Sequence, residues 1–542
     1  MSILAFLSPL ASACAVFFGN HGAVAAAARQ RATSRQALYR EADRVAQAVD
    51  GSASHAQLTS LCAERDALRQ RVVDLEARLT RPLDLTDDHL AHFAAKAQAE
   101  GVSLPLARRL LAVFLRDQTP SVPTLGRLSR AAARRSSALL PVLDQASRPR
   151  VAQAAADEIF FGPKPCLMLI EQHSLCWLSG RLTARRTGEE WAKEFAALPH
   201  LQQTSQDGGT ALAKGLDLVN AQRLQRQQPP IVLQDDHFHV LREGHRVVRQ
   251  LHGRVSKAMT KAEDADRKAE KKERQTGSRH GYGVAGRAWQ RAERALDAYA
   301  EAETAWTEVQ GALQLFTPAG TLNTRARVEG LLAAALPRLV GPLWAKVRRA
   351  LARPQLLTFL DVAAAGLAQL PAATALAALP KAEAAAVVSA AVRVAGLQRQ
   401  GAELRGEGSS AAALRGVLLV ASVVLARAGE AGSQAVALVR EVLGGVWRAS
   451  SLVECLNSVA RMQQGRHRKM TQGLLDLKRL YWNCRPFRTG RRRKQTPYGL
   501  QGLKLPTADW WELLQWTPQQ LRQHLGLPEL TPQDLSAQEV AA

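Results

Sequence analysis

The sequence predicts an α/β chain built around one mixed sheet, with helical segments before the sheet and a long all-helical stretch interrupting it. Three observations lead there. The first 150 residues carry helical periodicity and capping signals; from about 157, short apolar runs broken by Gly, Pro and His replace that periodicity; from about 255 to 450 no strand signal appears. At 542 residues the chain is too long for one small core, so three or more domains are expected. Its 72 Lys+Arg against 48 Asp+Glu give a net charge of +24. A cation of that size points to a polyanionic partner, most simply nucleic acid, although an Arg-rich proteome would also produce it.

The N-terminal third reads first. "MSILAFLSPLASACAVFF" has the apolar length of a signal peptide without its positive start, and "VLLVASVVLA" at 417–426 covers about half a membrane span. Six scattered cysteines form no CxxC pair, which fits a reducing compartment. The expectation is therefore a cytoplasmic, nucleoid-associated protein with no membrane partner. Residues 1–50 suit a helix-turn-helix: an Ala-rich helix ends near Arg31, and Thr33-Ser34 caps a second helix. That helix offers Arg35, Gln36, Tyr39 and Arg40 to DNA.

Residues 51–82 follow as a linker helix. Within it Leu58, Arg65, Val72 and Leu79 fall at one heptad position and Leu61, Leu68 and Leu75 at another. Such a stripe suits a coiled coil and hence a homodimer or higher oligomer, or else packing within its own domain. Residues 83–150 hold three more helices, the last carrying Arg127, Arg130, Arg134 and Arg135, and are read as a second helical DNA-binding region.

The sheet occupies 151–254. "EIFFG", "PCLMLIE" and "SLCWLSGRL" read as a three-strand meander, followed by a helix at 188–198, a strand ending near Asp207, another helix, and the strand-like "PPIVLQDDHFHV". The order β-β-β-α-β-α-β-α is that of the RNase H-like fold. In such a sheet Asp157, expected at the start of the first strand, and Asp207, at the end of the fourth, lie side by side at the centre. Neighbouring carboxylates repel unless they share divalent cations. Alternation along the strand places Glu158 on the opposite face and favours Asp157. The all-helical insertion is expected over 255–448. Residues 449–505 then resume the core with a helix capped by Ser450 or Ser451, which carries Glu454 in its first turn and Asn457 and Arg461 beyond. Residues 506–542 form a tail.

Several of these stretches carry a family resemblance. "AAR…TSRQALYR" resembles the helix-turn-helix of bacterial insertion-sequence transposases and resolvases. "SSLVECLNSVARMQQGRHRKM" is similar to the DDE-transposase motif in which a Glu, followed three residues on by Asn, supplies the third metal ligand. "LLDLKRLYWNCRPF…GRRRKQTPYGLQGL" resembles the tail of those enzymes, and "DEIFFGPKPCLM" and "QDGGTALAKGL" the contexts of their two aspartates. The "D-x-F-H" of Asp236–His239 resembles the C/D-x-x-H signature of the Mutator-like and hAT-like group, whose sheet is likewise interrupted by helices.

The resemblance implies a DDE transposase acting on double-stranded DNA, both element ends and target. Asp157, Asp207 and Glu454 would be catalytic and would hold Mg²⁺, with Mn²⁺ as a substitute. Asp236 and His239 would support them, Phe238 packing inward. Trp289 or Trp306 would stack on a flipped base, against the plainer reading of both as core. Apart from the resemblance, "RPFRTGRRRK" (485–494) reads as a phosphate-contacting stretch through Arg491, Arg492 and Arg493, or as a solvated charge run, and Arg461 is a further expected DNA contact. The alternatives are a non-catalytic DNA-binding protein derived from a transposase, and a helical scaffold.

Overall fold

The computed structural model describes residues 3–49, 54–80, 85–405, 409–465 and 469–529. The chain is mixed α/β: N-terminal helices, a five-strand mixed sheet with helices, then a long helical region. It divides into two compact units, residues 1–85 with 111–119, and residues 86–110 with 120–542.

In the first unit α1 (Ile3–Phe17) and α2 (Ala23–Gln30) both pack on α3 (Arg35–Val49). The amphipathic pattern of α3 explains this: Leu38 and Ala42 are buried, while Arg35, Gln36, Tyr39 and Arg40 all face outward. Ser34 Oγ accepts from Ala37 N at 3.2 Å, so the helix starts where its capping signal lies. The long α4 (Ser54–Thr80) exposes Leu61, Leu68, Val72, Val73 and Leu75 along one side. The side chains of Leu58 and Leu79 lie outside the described residues.

The second unit holds α5 (Asp87–Ala99), most of α7 (Val122–Ser147) and the sheet; α6 (Leu104–Leu115) runs across the division. α7 is part of the same compact unit as the sheet. Leu139, Leu140 and Leu143 on its apolar side enter the core beneath the sheet, together with Ala154, Ala156, Leu167 and Leu169. Arg127, Arg130, Arg134 and Arg135 are left on its outer side.

The strands are β1 (Gln153–Phe161), β2 (Lys164–Glu171), β3 (Trp177–Leu182), β4 (Gln203–Gln206) and β5 (Val232–Asp235), in the order β3-β2-β1-β4-β5. β1–β2 and β2–β3 are antiparallel hairpins, whereas β4 and β5 join in parallel through α8 (Gly188–Ala196) and α9 (Thr210–Gln225). β1 is longer than its apolar run suggested, so Asp157 sits mid-strand.

The chain enters the helical region directly from β5. α10 (His237–Thr276) begins two residues after the strand and runs unbroken through 255, where the insertion was expected to begin. α10 forms a long hairpin with α11 (His280–Ala312). There follow α12 (Arg325–Ala335), α13 (Ala345–Leu351), α14 (Thr358–Ala368), α15 (Thr374–Ala377), α16 (Lys381–Arg399), α17 (Gly401–Arg405), α18 (Ser409–Arg427) and α19 (Gly429–Gly444). By length and composition alone, 354–372 and 409–427 are apolar enough to cross a membrane. The first puts Leu356, Leu357, Phe359, Leu360 and Ala363 into the helical core, and α18 leaves Leu419 and Val420 exposed.

The chain then returns to the sheet as α20 (Ser451–Gln464) and α21 (Gln472–Cys484), and ends in three short helices, α22 (Pro497–Leu500), α23 (Trp510–Leu513) and α24 (Pro518–His524). α20 covers the sheet face opposite α7 and α8: Val453, Leu456 and Ala460 pack on Ala155, Ile159, Met168 and Ile170.

Trp306 is part of the helical core and cannot stack on a base as it stands. It is 2 % exposed, its ring centre lies 5.6 Å from that of Trp344, and it packs so closely on Gly244 that a Cβ there would collide with the ring. Trp289 is half-buried, and its indole N–H donates to Asp266 across the α10–α11 hairpin. Trp306→Ala should therefore cost about 3–5 kcal/mol of stability and Trp289→Ala markedly less, measured by urea unfolding followed by tryptophan fluorescence.

Candidate active site

β1 alternates as a two-sided strand must. Ala154, Ala156 and Glu158 face one helical layer, and Ala155, Asp157 and Ile159 face α20. Glu158 is spent on structure: Trp191 Nε1 donates to it at 2.7 Å and Arg186 Nη1 at 3.1 Å. Asp157, 6 % exposed, accepts from the Glu158 amide at 2.7 Å and from Asn457 Nδ2 at 2.5 Å. Asn457 thus ties α20 to the central strand, three hundred residues away.

Asp207 follows β4 by one residue. Ala155 pairs with Ser205 in the parallel β1–β4 ladder, so two residues further along each strand stand Asp157 and Asp207. Asp207 is exposed and accepts from the Gly209 amide at 3.0 Å, closing a turn in which Gly208 has φ 77°. That left-handed conformation suits glycine.

The segment after β5 departs from the extended reading. The strand stops at Asp235, Asp236 caps α10 by accepting from Phe238 N at 2.7 Å, and the two histidines separate. His237 is buried, and its Nε2 donates to Leu356 O at 2.7 Å. Phe238, expected inside, is instead 42 % exposed beneath the Arg242 guanidinium, because a helix start turns it outward. His239 Nδ1 donates to Asp236 Oδ2 at 2.5 Å, and its Nε2 lies 3.4 Å from Glu454 Oε1. Asp236 Oδ2 also accepts from Ser450 Oγ at 2.5 Å. Ser450 stands at the N-terminus of α20, yet its side chain makes no cap there, being committed to Asp236. On its other side Glu454 lies 3.5 Å from Arg461 Nη1.

These groups shift one another's protons. Burial, then the charges of Asp207 and Glu454, push the Asp157 carboxyl from 3.8 up to about 7 against the opposing Glu158 amide bond. Burial lowers His237 to about 4, so it is neutral. The hydrogen bond to Asp236 raises His239. Burial alone would raise Asp236, but the bonds from His239 and Ser450 and the charge of His239 outweigh it and hold the carboxyl below its ordinary range.

Asp157, Asp207 and Glu454 therefore come from β1, the end of β4 and α20 into one electrostatic neighbourhood. The donor set is hard oxygen, its like charge offset in part by Arg461 and His239 beside Glu454, and hard oxygen suits Mg²⁺ or Mn²⁺. Among the described residues, however, no three His, Cys, Asp or Glu side chains already stand at ligand spacing. Binding an ion would require Asp207 and Glu454 to turn toward Asp157.

Of the other expected contacts, Arg461 lies at this site and is half exposed. Arg491 and Arg493 face outward, Arg491 over the Trp447 ring. Arg492 does not serve as a free phosphate contact, because its guanidinium donates to the carbonyls of His173 and Gln172. Three residues of the site stand outside the sequence expectation. Ser450 bonds Asp236 rather than capping α20. Asp235, beside Asp236, is 4 % exposed and neither of its oxygens has a hydrogen-bond partner. Arg353, from the helical region, brings Nε to 3.3 Å from Asp235 Oδ2. Only the doubled Asp in "QDDH" could have flagged any of these. No protein-family model, curated protein or solved structure matches the chain.

The raised Asp157 carboxyl has a definite sign in stability. The folded state holds its proton more tightly than the unfolded state, so stability falls as pH rises from about 4 to about 7. Asp157→Asn keeps the bond from Glu158 N, and it can donate to Asn457 Oδ1, which is buried without a partner. Metal-free Asp157→Asn should match the parent near pH 4 and exceed it above pH 7 by at most about 4 kcal/mol in urea unfolding. Mg²⁺ should narrow the gap.

Proposed function

We propose that the chain is a DNA transposase of the DDE kind, built on an RNase H-like sheet, which cuts the ends of a mobile element and joins them to target DNA. The observation that carries this reading is that the fold brings Asp157, Asp207 and Glu454 into one neighbourhood, Asp157 and Asp207 at matching places beside the parallel β1–β4 ladder and Glu454 one turn before the Asn457 that bonds Asp157. They lie far apart in sequence, and their charges act together on Asp157. The sheet order, with the first acid on β1 and the second just past the end of the adjacent parallel β4, and the exposed basic start of α3 support it.

In this reading Asp157, Asp207 and Glu454 would hold Mg²⁺, which when bound activates the attacking hydroxyl and stabilises the leaving oxygen of a phosphodiester. The chain's own residues do the rest. Asn457 fixes the rotamer of Asp157. Asp236 holds Nδ1 of His239 protonated, which aims Nε2 at Glu454 or at a phosphate in its place. Arg461 supplies positive charge next to Glu454. Arg35, Gln36, Tyr39 and Arg40 would read the terminal DNA, and the bare apolar side of α4 would pair with a second copy to bring two ends together. The lack of three preset ligands among the described residues favours the second reading, a DNA-binding protein that has lost catalysis.

The deciding experiment uses DNA flanking the coding sequence as the terminal substrate. Mg²⁺-dependent nicking and strand transfer are expected, reduced at least about 100-fold by Asp157→Ala, Asp207→Ala or Glu454→Ala with DNA affinity unchanged. Arg35→Ala and Arg40→Ala should instead weaken binding and each flatten the salt dependence by about one unit. Binding without cleavage in the parent chain would favour the second reading.

A further inference from the structure

Beside the acids lies a corner of opposite charge. Arg353 precedes a short 3-10 turn, Pro354–Leu357, in the helical region. That turn is clamped to the end of β5, where Leu356 O accepts from Gln234 Nε2 at 3.0 Å and from His237 Nε2 at 2.7 Å. The clamp delivers the guanidinium to the Asp207–Gly208 turn, against which it packs so closely that a Cβ on Gly208 would collide with Arg353 Nη1.

Its Nε faces Asp235, the last residue of β5, whose partner across the ladder is Gln206, next to Asp207. Asp235 is a buried carboxylate with no hydrogen bond, and its nearest counter-charge is this arginine. The arginine side chain is 40 % exposed, and neither Nη1 nor Nη2 donates a hydrogen bond within the described residues.

An arginine present only to neutralise Asp235 would turn its fork onto the carboxylate and form two parallel bonds. Here the side of the guanidinium faces Asp235 and the fork stays free beside a candidate catalytic acid. A free planar fork of N–H groups fits a phosphodiester oxygen pair.

We propose that Arg353 is a substrate-binding residue that grips a DNA phosphate at this site, and that Asp235 is the positioning residue that holds it there. The helical region thereby contributes directly to the centre it interrupts. The proposal rests on the part of the reading above in which DNA occupies this site.

The test uses the full chain and the terminal DNA, with two readouts: the salt dependence of DNA affinity without divalent metal, and single-turnover cleavage with Mg²⁺. Arg353→Gln and the double variant Asp235→Asn/Arg353→Gln, which strands no buried charge, should flatten the salt dependence by about one unit. Both should slow cleavage about 10- to 100-fold. Arg353→Lys should restore the salt dependence but not the full rate, since an ammonium lacks the fork. A folded double variant with the parent's salt dependence and rate would overturn the proposal while leaving the enzyme reading intact. A parent chain that binds DNA without cleaving it would remove the enzyme reading, and the salt dependence would still decide the role of Arg353. A parent chain with no affinity for DNA would remove both.

Discussion

Asp236 is the constraint on which the candidate site depends. Its carboxylate is 2 % exposed and accepts from the Phe238 amide, from His239 and from Ser450, which lies 214 residues further on. The first bond starts α10, the second orients an imidazole toward Glu454, and the third brings the N-terminus of α20 back to the sheet. His237 N donating to Arg448 O at 3.0 Å closes the same joint through the backbone. The point where the chain leaves the sheet for its helical region is thus fastened to the point where it returns. A buried carboxylate that loses one such partner keeps the full cost of its burial, so the joint holds as a unit.

That joint opposes an electrostatic cost. Asp157 is buried with Asp207 and Glu454 acting on it, and its proton affinity rises accordingly. A fold selected only for stability would place an apolar side chain there, as it does at Ala155 and Ile159 on either side along the same face. Apolar packing of α20 on β1 and β2 holds the helix down while its first turn carries Glu454, flanked by His239 and Arg461, near Asp157. Perturbed carboxyls of this kind cluster at functional sites.

What the sequence revealed follows from the range of the forces involved. Strand alternation is local, and it separated Asp157 from Glu158 correctly: one faces α20, and the other is bound by Trp191. The three-residue spacing of Glu454 and Asn457 is also local: Asn457 does reach Asp157 on the sheet, while Glu454, one turn earlier, meets His239 and Arg461. Phe238 was misplaced because the strand ends at Asp235 and a helix starts at once, which a continuous apolar reading cannot register. Trp306 was ambiguous because its surroundings come from Gly244 and Trp344, each distant in sequence. Ser450 looks like a cap from its neighbours alone, and only the returning chain shows where its hydroxyl goes. Arg353 had no local signal, for its meaning lies in a turn docked on β5.

In the proposed reading, carboxylates from β1, the end of β4 and α20 form one site for a divalent cation. Titration of the full chain with Mn²⁺, followed by the loss of the free-ion electron paramagnetic resonance signal, addresses it directly. Saturable binding that is lost in Asp157→Asn and weakened in Glu454→Gln is expected. Binding of equal affinity in the parent and in Asp157→Asn, or no binding by the parent, would contradict it.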